Sequence, residues 1–197
     1  MTTTRYALRQ VFGALVSIII FAVMAAALTA QQADFSNVKI KNFGQMDERF
    51  YRGAQPKEND YQSLKALGIN TVIDLQAEPK DYEKQIVESL GMRYVNIPMV
   101  DKAYPTPEAV SSFLKLANDP ATGKFYVHCA GGRHRTGAMG AAYRFTKYHW
   151  TYDQVYAEMK KYDFYTSWGH GDFKTFVQDY AAKMQSTKSG SFIEAGQ

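Results

Sequence analysis

Short apolar or β-branched runs alternate with segments of helix length through most of the chain, and this alternation constrains the fold more than any other feature. "RFYRG" reads as a strand ending at Gly53, with a turn at "AQP". "NDYQSLKALG" opens on an Asn/Asp cap and closes on Gly68, which marks a helix. "INTVIDL", "MRYVNIPM" and "KFYVHC" have the composition of buried strands. Between them, "PKDYEKQIVESLG" predicts a helix resting on Tyr82, Ile86 and Leu90, and "TPEAVSSFLKLAND" predicts one capped by Thr106 with Pro107 at its first position. Three more helical stretches are expected at about 136–149, 152–161 and 172–184. Strands separated by helices imply an α/β fold, a central, mostly parallel sheet flanked by helices. In such a sheet the loops that bind ligands gather at the carboxyl ends of the strands.

The N-terminal residues stand apart from this pattern. Arg5 and Arg9 precede an uncharged apolar run over residues 11–30, "VFGALVSIIIFAVMAAALTA". A basic start, an apolar stretch and small residues at its end are the order of an export signal, with an A-x-A pattern at Ala25 and Ala27. A run of about 20 residues is also long enough to span a bilayer as an uncleaved anchor. Both readings expect the remainder of the chain to be exported across a membrane, periplasmic or secreted, or anchored with its catalytic domain outside the cytoplasm. The domain reading is therefore 1–30 signal or anchor, 31–37 linker, 38–184 one compact domain, and 185–197 a flexible tail.

Charge narrows the classes of partner. The chain has 23 Lys+Arg against 19 Asp+Glu, net +4, and setting aside Arg5 and Arg9 leaves 21 against 19, net +2. So small an excess predicts no nucleic-acid partner. There is one cysteine, Cys129. It has no internal disulfide partner, so the thiol is either an inert buried group or one kept for its chemistry.

Its surroundings favour chemistry. In "HCAGGRHRTG", Cys129 ends a strand, Gly131 and Gly132 allow a tight bend, and a helix begins near Thr136. Successive amide N–H groups in such a bend form an anion-binding nest, to which the helix N-terminus adds its own positive end. Arg135 supplies a planar fork for two phosphate oxygens. A thiol at the lip of this cradle is expected to titrate low, between about 3.5 and 7.5, and to act as a nucleophile toward phosphorus.

The same residues resemble the H-C-x-x-G-x-x-R-[ST]-G signature of the protein tyrosine phosphatase superfamily. The likeness runs from about Asn42 to Tyr180, where "NFGQMDERFYRGAQP" is similar to the opening segment of compact dual-specificity phosphatases, including the plant and fungal atypical branch. The resemblance implies Cys129 as nucleophile, Arg135 as phosphate ligand and transition-state stabiliser, and Thr136 as an aid to turnover of the phosphocysteine. It implies His128 as the histidine that orients the thiolate loop, and it groups His128 with Ala130, Gly131, Gly132, Arg133 and His134 as the residues around the substrate phosphate. Asp101, 28 residues before Cys129 in "YVNIPMVDKAYPTPEAV", falls at the general-acid position. Asp81 is the runner-up, and Asp74 reads as structural.

The implied activity is a cysteine-dependent phosphatase working through a phosphocysteine, with phosphorylated proteins as the first substrate class. "GRHRTG" is also close to the basic loop of relatives that hydrolyse inositol pyrophosphates, so inositol phosphates or phosphoinositides form the alternative. A phosphate-binding module without turnover is the second alternative, and a rhodanese or arsenate-reductase reading fits the flanking His and Thr-Gly less well. No cofactor is required, and no cluster with metal-ligand spacing is visible. His149 and His170 stand isolated in the sequence, Arg52 reads as an ion-pair partner, and Trp168 and His170 read as packing.

Overall fold

The computed structural model describes residues 35–194, with side chains through 187, and the fold below concerns the unit that begins at Asn37. The export or anchor segment of residues 1–30 lies outside the described residues. Among those described, no helix is long and apolar enough to cross a membrane.

Five strands form one sheet: β1 (Gly44–Gln45), β2 (Phe50–Ala54), β3 (Thr71–Gln76), β4 (Arg93–Met99) and β5 (Phe125–Cys129). Their order is β1-β2-β5-β3-β4, with all neighbours parallel except the short β1–β2 pair. The expected mostly parallel sheet is thus present, and β5 lies at its centre. The two-residue β1 went unforeseen, because a strand that short carries no period. The helices are α1 (Asp60–Ala66), α2 (Glu83–Ser89), α3 (Pro107–Asn118), α4 (Arg135–Tyr143), α5 (Tyr152–Lys161) and α6 (Gly171–Glu194). A π turn, Arg144–Tyr148, extends α4.

Side-chain alternation along the strands divides the interior into two layers. Phe50, Ile73, Leu75, Phe125, Val127 and Cys129 join the main core with Phe113 of α3, Met139 and Tyr143 of α4, and Phe173 and Val177 of α6. Phe50 sits at its middle, 4.9 Å from the Phe125 ring centre and 5.1 Å from that of Tyr143, which it meets edge to face. Full burial of each such ring contributes about 1.5–3 kcal/mol. The opposite face presents Tyr51, Val72, Asp74, Tyr126 and His128, a more polar set, all buried.

Three local expectations need correction. The buried residues of α2 are Glu83 and Val87, while Tyr82, Ile86 and Leu90 are half-buried. The helix is rotated by one position because Glu83 has charged and amide partners inside. Asn59 makes no side-chain cap on α1, where Asp60 instead accepts from the Lys57 amide at 2.9 Å. Finally, α6 continues to Glu194, past the point where a loose tail was expected. The hydroxyls of Ser186 and Thr187 both donate to the Lys183 carbonyl, so they are absorbed by the helix rather than competing with it.

Candidate active site

β5 carries Cys129 to the carboxyl edge of the sheet, between β2 and β3. Residues 130–134 then turn the chain into α4, whose backbone ladder opens with Gly137 N–H to Arg133 O at 3.1 Å and Ala138 N–H to His134 O at 2.8 Å. The outer side of the turn is held residue by residue. Ala130 O accepts from the Gln55 amide at 3.3 Å, Gly131 O from Asn42 Nδ2 at 2.8 Å and Gly132 O from Arg52 Nη2 at 2.5 Å. With three successive carbonyls tied outward, the loop's amides are left to its concave side, the arrangement of an anion nest.

Gly132 is required on two counts. Its φ is +66°, and a Cβ there would collide with the backbone of Gly53 and Ala54 in β2. The bend therefore depends on close contact between the loop and the neighbouring strand.

Cys129 is almost wholly buried. Burial works to raise its thiol, but the Thr136 hydroxyl, the Arg135 guanidinium and the backbone N–H groups of Thr136 and Gly132 outweigh it. The thiol lies below its ordinary range as a result.

Arg135 begins α4 and is nearly buried. It donates to the Met99 carbonyl at 3.3 Å and places Nη2 3.7 Å from Asp101 Oδ1. Asp101 lies in the turn after β4 with half its side chain exposed. The loop's far end is fixed by Tyr104, which donates to Asp179 of α6 at 3.1 Å and meets Phe176 edge to face. Asp101, 28 residues before Cys129 in the sequence, is thus brought to the same edge of the sheet as Cys129, Arg135 and Thr136. Asp81 sits in an exposed turn before α2, and Asp74 is wholly buried, accepting from the Gln76 amide at 2.8 Å and Tyr94 at 3.0 Å.

His134 lies away from the rim expected of it, and His128, grouped with the residues around the substrate phosphate as the one that orients the thiolate loop, does not itself face that phosphate. His128 alternates with Cys129, so its ring leaves the opposite face of the sheet and is fully buried. Nε2 lies 2.7 Å from Glu83 Oε1 and Nδ1 3.8 Å from Asp74 Oδ1. These three residues come from β5, α2 and β3, so the fold makes a cluster that sequence spacing does not reveal. Each carboxylate faces a different ring nitrogen, which suits a bridged proton-holding group better than ligands converging on one ion.

His134 is also buried, stacked on His170 at 3.7 Å between ring centres, with Nε2 3.0 Å from the Tyr165 carbonyl. Burial first, and then His170, push it down to about 4. At neutral pH it adds no charge to the site, and His170 is its packing partner rather than an isolated residue. Arg133 remains a rim cation, with Nη2 3.6 Å from Asp163 and its guanidinium 5.8 Å from the Tyr165 ring centre.

Two further departures shape the entrance. Arg52 is fully buried, and its partners are the Gly132 carbonyl and the face of Tyr162, 4.0 Å away, rather than a carboxylate. Trp168 is not packing material: it is 82% exposed, at φ +61°, in the segment that His170 docks against the phosphate loop. Gly169 beside it packs on the Lys102 side chain of the Asp101 loop.

Comparison with known proteins decides the family. The family model described as "DSP-PTPase phosphatase fused to NAD+ Kinase" matches residues 27–178. The chain belongs to this family. It is a cysteine-based phosphatase of the compact dual-specificity type within the protein tyrosine phosphatase superfamily. OCA1 of Mycosarcoma maydis, named as a tyrosine-protein phosphatase, is 29% identical over 126 residues, covering 61% of this chain and 79% of that protein. The inositol diphosphatase DSP3 of Arabidopsis thaliana is 27% identical over 125 residues, 61% of this chain and 61% of that one. Among solved structures, P. aeruginosa TpbA superposes with a TM-score of 0.62 at 23% identity, over 78% of this chain and 95% of TpbA, a likeness of fold.

Proposed function

We propose that Cys129, Arg135, Thr136 and Asp101 carry out a two-step hydrolysis of phosphate monoesters, with phosphotyrosine-bearing proteins as the first substrate class. The Cys129 thiolate attacks phosphorus in line, forming the S–P bond as the P–O bond to the leaving group breaks. Arg135 and the loop amides hold the equatorial oxygens as charge builds on them. Asp101 gives its proton to the departing oxygen, and as a carboxylate then takes one from the attacking water. That water forms the new P–O bond, the S–P bond breaks and the thiolate returns, with the Thr136 hydroxyl assisting its departure.

The entrance carries the choice of substrate. Trp168 and Val100, 82% and 66% exposed, place apolar surface beside the two loops. A phenol ring and a peptide can cover such surface, whereas an inositol ring bearing only phosphates cannot. His134 supplies no positive charge there. In support, one solved structure of TpbA is a complex with phosphotyrosine. The second reading, an inositol phosphate or pyrophosphate substrate, rests on the DSP3 relative and on Arg133 and Lys102 at the rim.

Phosphotyrosine, phosphoserine and phosphothreonine peptides and inositol polyphosphates and pyrophosphates, compared as substrates by kcat/KM, separate the readings. We expect phosphotyrosine peptides to lead. A larger value for an inositol substrate overturns that choice, and full activity in Cys129→Ser overturns the mechanism. Export, read from residues 11–30, is a separate proposal tested by fractionating cells that express the full chain; recovery of the intact chain from the cytoplasm rejects it.

A further inference from the structure

Arg52 is among the largest fully buried side chains, and it carries a charge. Among the described residues no acidic side chain pairs with it. Its Nη2 donates to the Gly132 carbonyl at 2.5 Å, its guanidinium lies 4.0 Å from the centre of the Tyr162 ring, and its Nε has no partner among the described residues. A buried cation held by one carbonyl and one ring face opposes folding, and an apolar side chain of similar size would suit the position better. Burial pushes the guanidinium below its ordinary value, opposed by Tyr162, Cys129, Glu158 and Tyr126, of which Glu158 is already engaged by Arg144 at 2.6 Å. Stability of the fold therefore does not account for an arginine here.

Its place in the sheet points to the phosphate loop. Strand pairing sets Ala54 beside Cys129 and Arg52 beside Val127, so Arg52 shares the sheet face of Cys129, two residues back from the carboxyl edge. Room has been made for it on that face. Gly44 is paired with Arg52 across β1 and β2, and a Cβ there would collide with the Tyr162 ring, so the bare glycine lets that ring lie over the guanidinium. In α4, a Cβ at Gly140 would stand 3.1 Å from the Met46 side chain and 3.7 Å from Arg52 Nη1. The cation thus sits in a socket whose one polar exit is the Gly132 carbonyl. That carbonyl and the Arg133 N–H belong to the same planar peptide unit, and none of the described peptide bonds is cis. In a trans unit the two groups point in opposite directions, so a carbonyl drawn toward Arg52 aims the Arg133 N–H at the concave side of the loop. Glycine resists rotation of its backbone less than any other residue, so at Gly132 the aim depends on an external hold.

We propose that Arg52 is a positioning residue that fixes the Gly132–Arg133 peptide so that its N–H meets an oxygen of the phosphoryl group, and that it is kept for this and not for stability. The inference rests on the phosphate cradle of the proposed function and adds to it a residue outside the loop, on a strand that never touches the substrate. A hydrogen bond from a charged donor holds a carbonyl more firmly than one from a neutral donor. The Tyr162 ring keeps the guanidinium in place without competing for that carbonyl.

The test is vanadate binding to the folded full chain, measured by calorimetry, which needs no turnover. In Arg52→Met, which keeps much of the length but loses the donor and the charge, we expect affinity to fall about tenfold or more. We expect kcat toward p-nitrophenyl phosphate to fall about 10²-fold, while the urea midpoint equals or exceeds that of the wild type. Arg52→Lys, which can still donate to the Gly132 carbonyl, should recover most of the affinity. Unchanged vanadate affinity in folded Arg52→Met overturns the proposal. A lowered urea midpoint, or a chain that does not fold, assigns Arg52 to the fold and overturns it too. The wild type gives a second measurement: in NMR the Arg133 amide resonance should shift when vanadate is added, and an unmoved resonance is equally fatal. A wild type that binds vanadate but hydrolyses no phosphate monoester would defeat the catalytic reading and leave this one standing.

Discussion

Arg135 reaches the carboxylate of Asp101 at 3.7 Å and the carbonyl of Met99 at 3.3 Å, so the phosphate-loop arginine also carries the neighbouring loop. Two roles are therefore available to Asp101, proton donor and tether, and leaving-group chemistry tells them apart. Asp101→Asn keeps a polar group near Arg135 but has no proton to give. For substrates with a poor leaving group, kcat should fall by about 10²–10⁴-fold. With p-nitrophenyl phosphate, whose leaving group needs little protonation, the fall should be much smaller, and the basic limb of the pH–rate profile should flatten. Equal losses on both substrates would leave Asp101 only its tethering role.

Gly132→Ala should show how far the cradle depends on its contact with β2. The added methyl meets the Gly53–Ala54 backbone, which cannot swing aside as a side chain could, and it also occupies an unfavourable positive φ. The expected result is more than about 1 kcal/mol lost in denaturant unfolding, together with a loss of vanadate inhibition as the nest opens. Normal vanadate affinity in this variant would mean that the loop tolerates a shift of β2.

Much of this architecture is legible in the chain itself. Strand composition, Gly punctuation and the Thr106–Pro107 start of α3 place the elements, and the span from Cys129 to Thr136 places the chemistry. Residues whose meaning depends on distant partners are not legible in this way. Glu83 looks like a solvated helix residue until α2 is laid over β3 and β5, and Arg52 looks like an ion-pair former until Gly132 is folded onto it. Asn42 offers a faint signal, since an asparagine tolerates its φ of +53° better than most residues, but nothing local says that it will hold Gly131. His128 could have been assigned correctly from the strand period alone, because neighbours on a strand face opposite ways.

Asp47 makes stability depend on acid. Its side chain is 6% exposed and accepts from Tyr143 and Tyr148, each at 2.7 Å, and from the amides of Arg49 and Phe50 at 2.9 and 2.8 Å. Burial alone would raise it, but these donors hold it below its ordinary value. A carboxyl that titrates lower when folded contributes stability above its unfolded value, about 3.9, and loses it as pH falls through the folded one. Asp47→Asn should therefore be less stable at pH 7, by about 1–2 kcal/mol, and the gap should narrow below about pH 4. Urea titrations of both proteins across that range check the sign, and a gap independent of pH would place the effect in packing instead.

Under the proposed function, Trp168 is the residue whose substitution tests substrate choice. It is held out by a left-handed backbone between a segment fixed to the phosphate loop through His170 and a glycine resting on Lys102, and its ring remains 82% exposed. An exposed indole contributes little to folding, so Trp168→Ala should leave stability within about 0.5 kcal/mol. If the ring is a wall for the substrate, KM for a phosphotyrosine peptide should rise several-fold while vanadate inhibition, which reports the cradle alone, stays unchanged. Inositol hexakisphosphate has no apolar surface to offer the indole, and any turnover of it should be indifferent to the substitution. An unchanged KM for the peptide would remove Trp168 from recognition and with it the main physical ground for preferring a phosphotyrosine substrate.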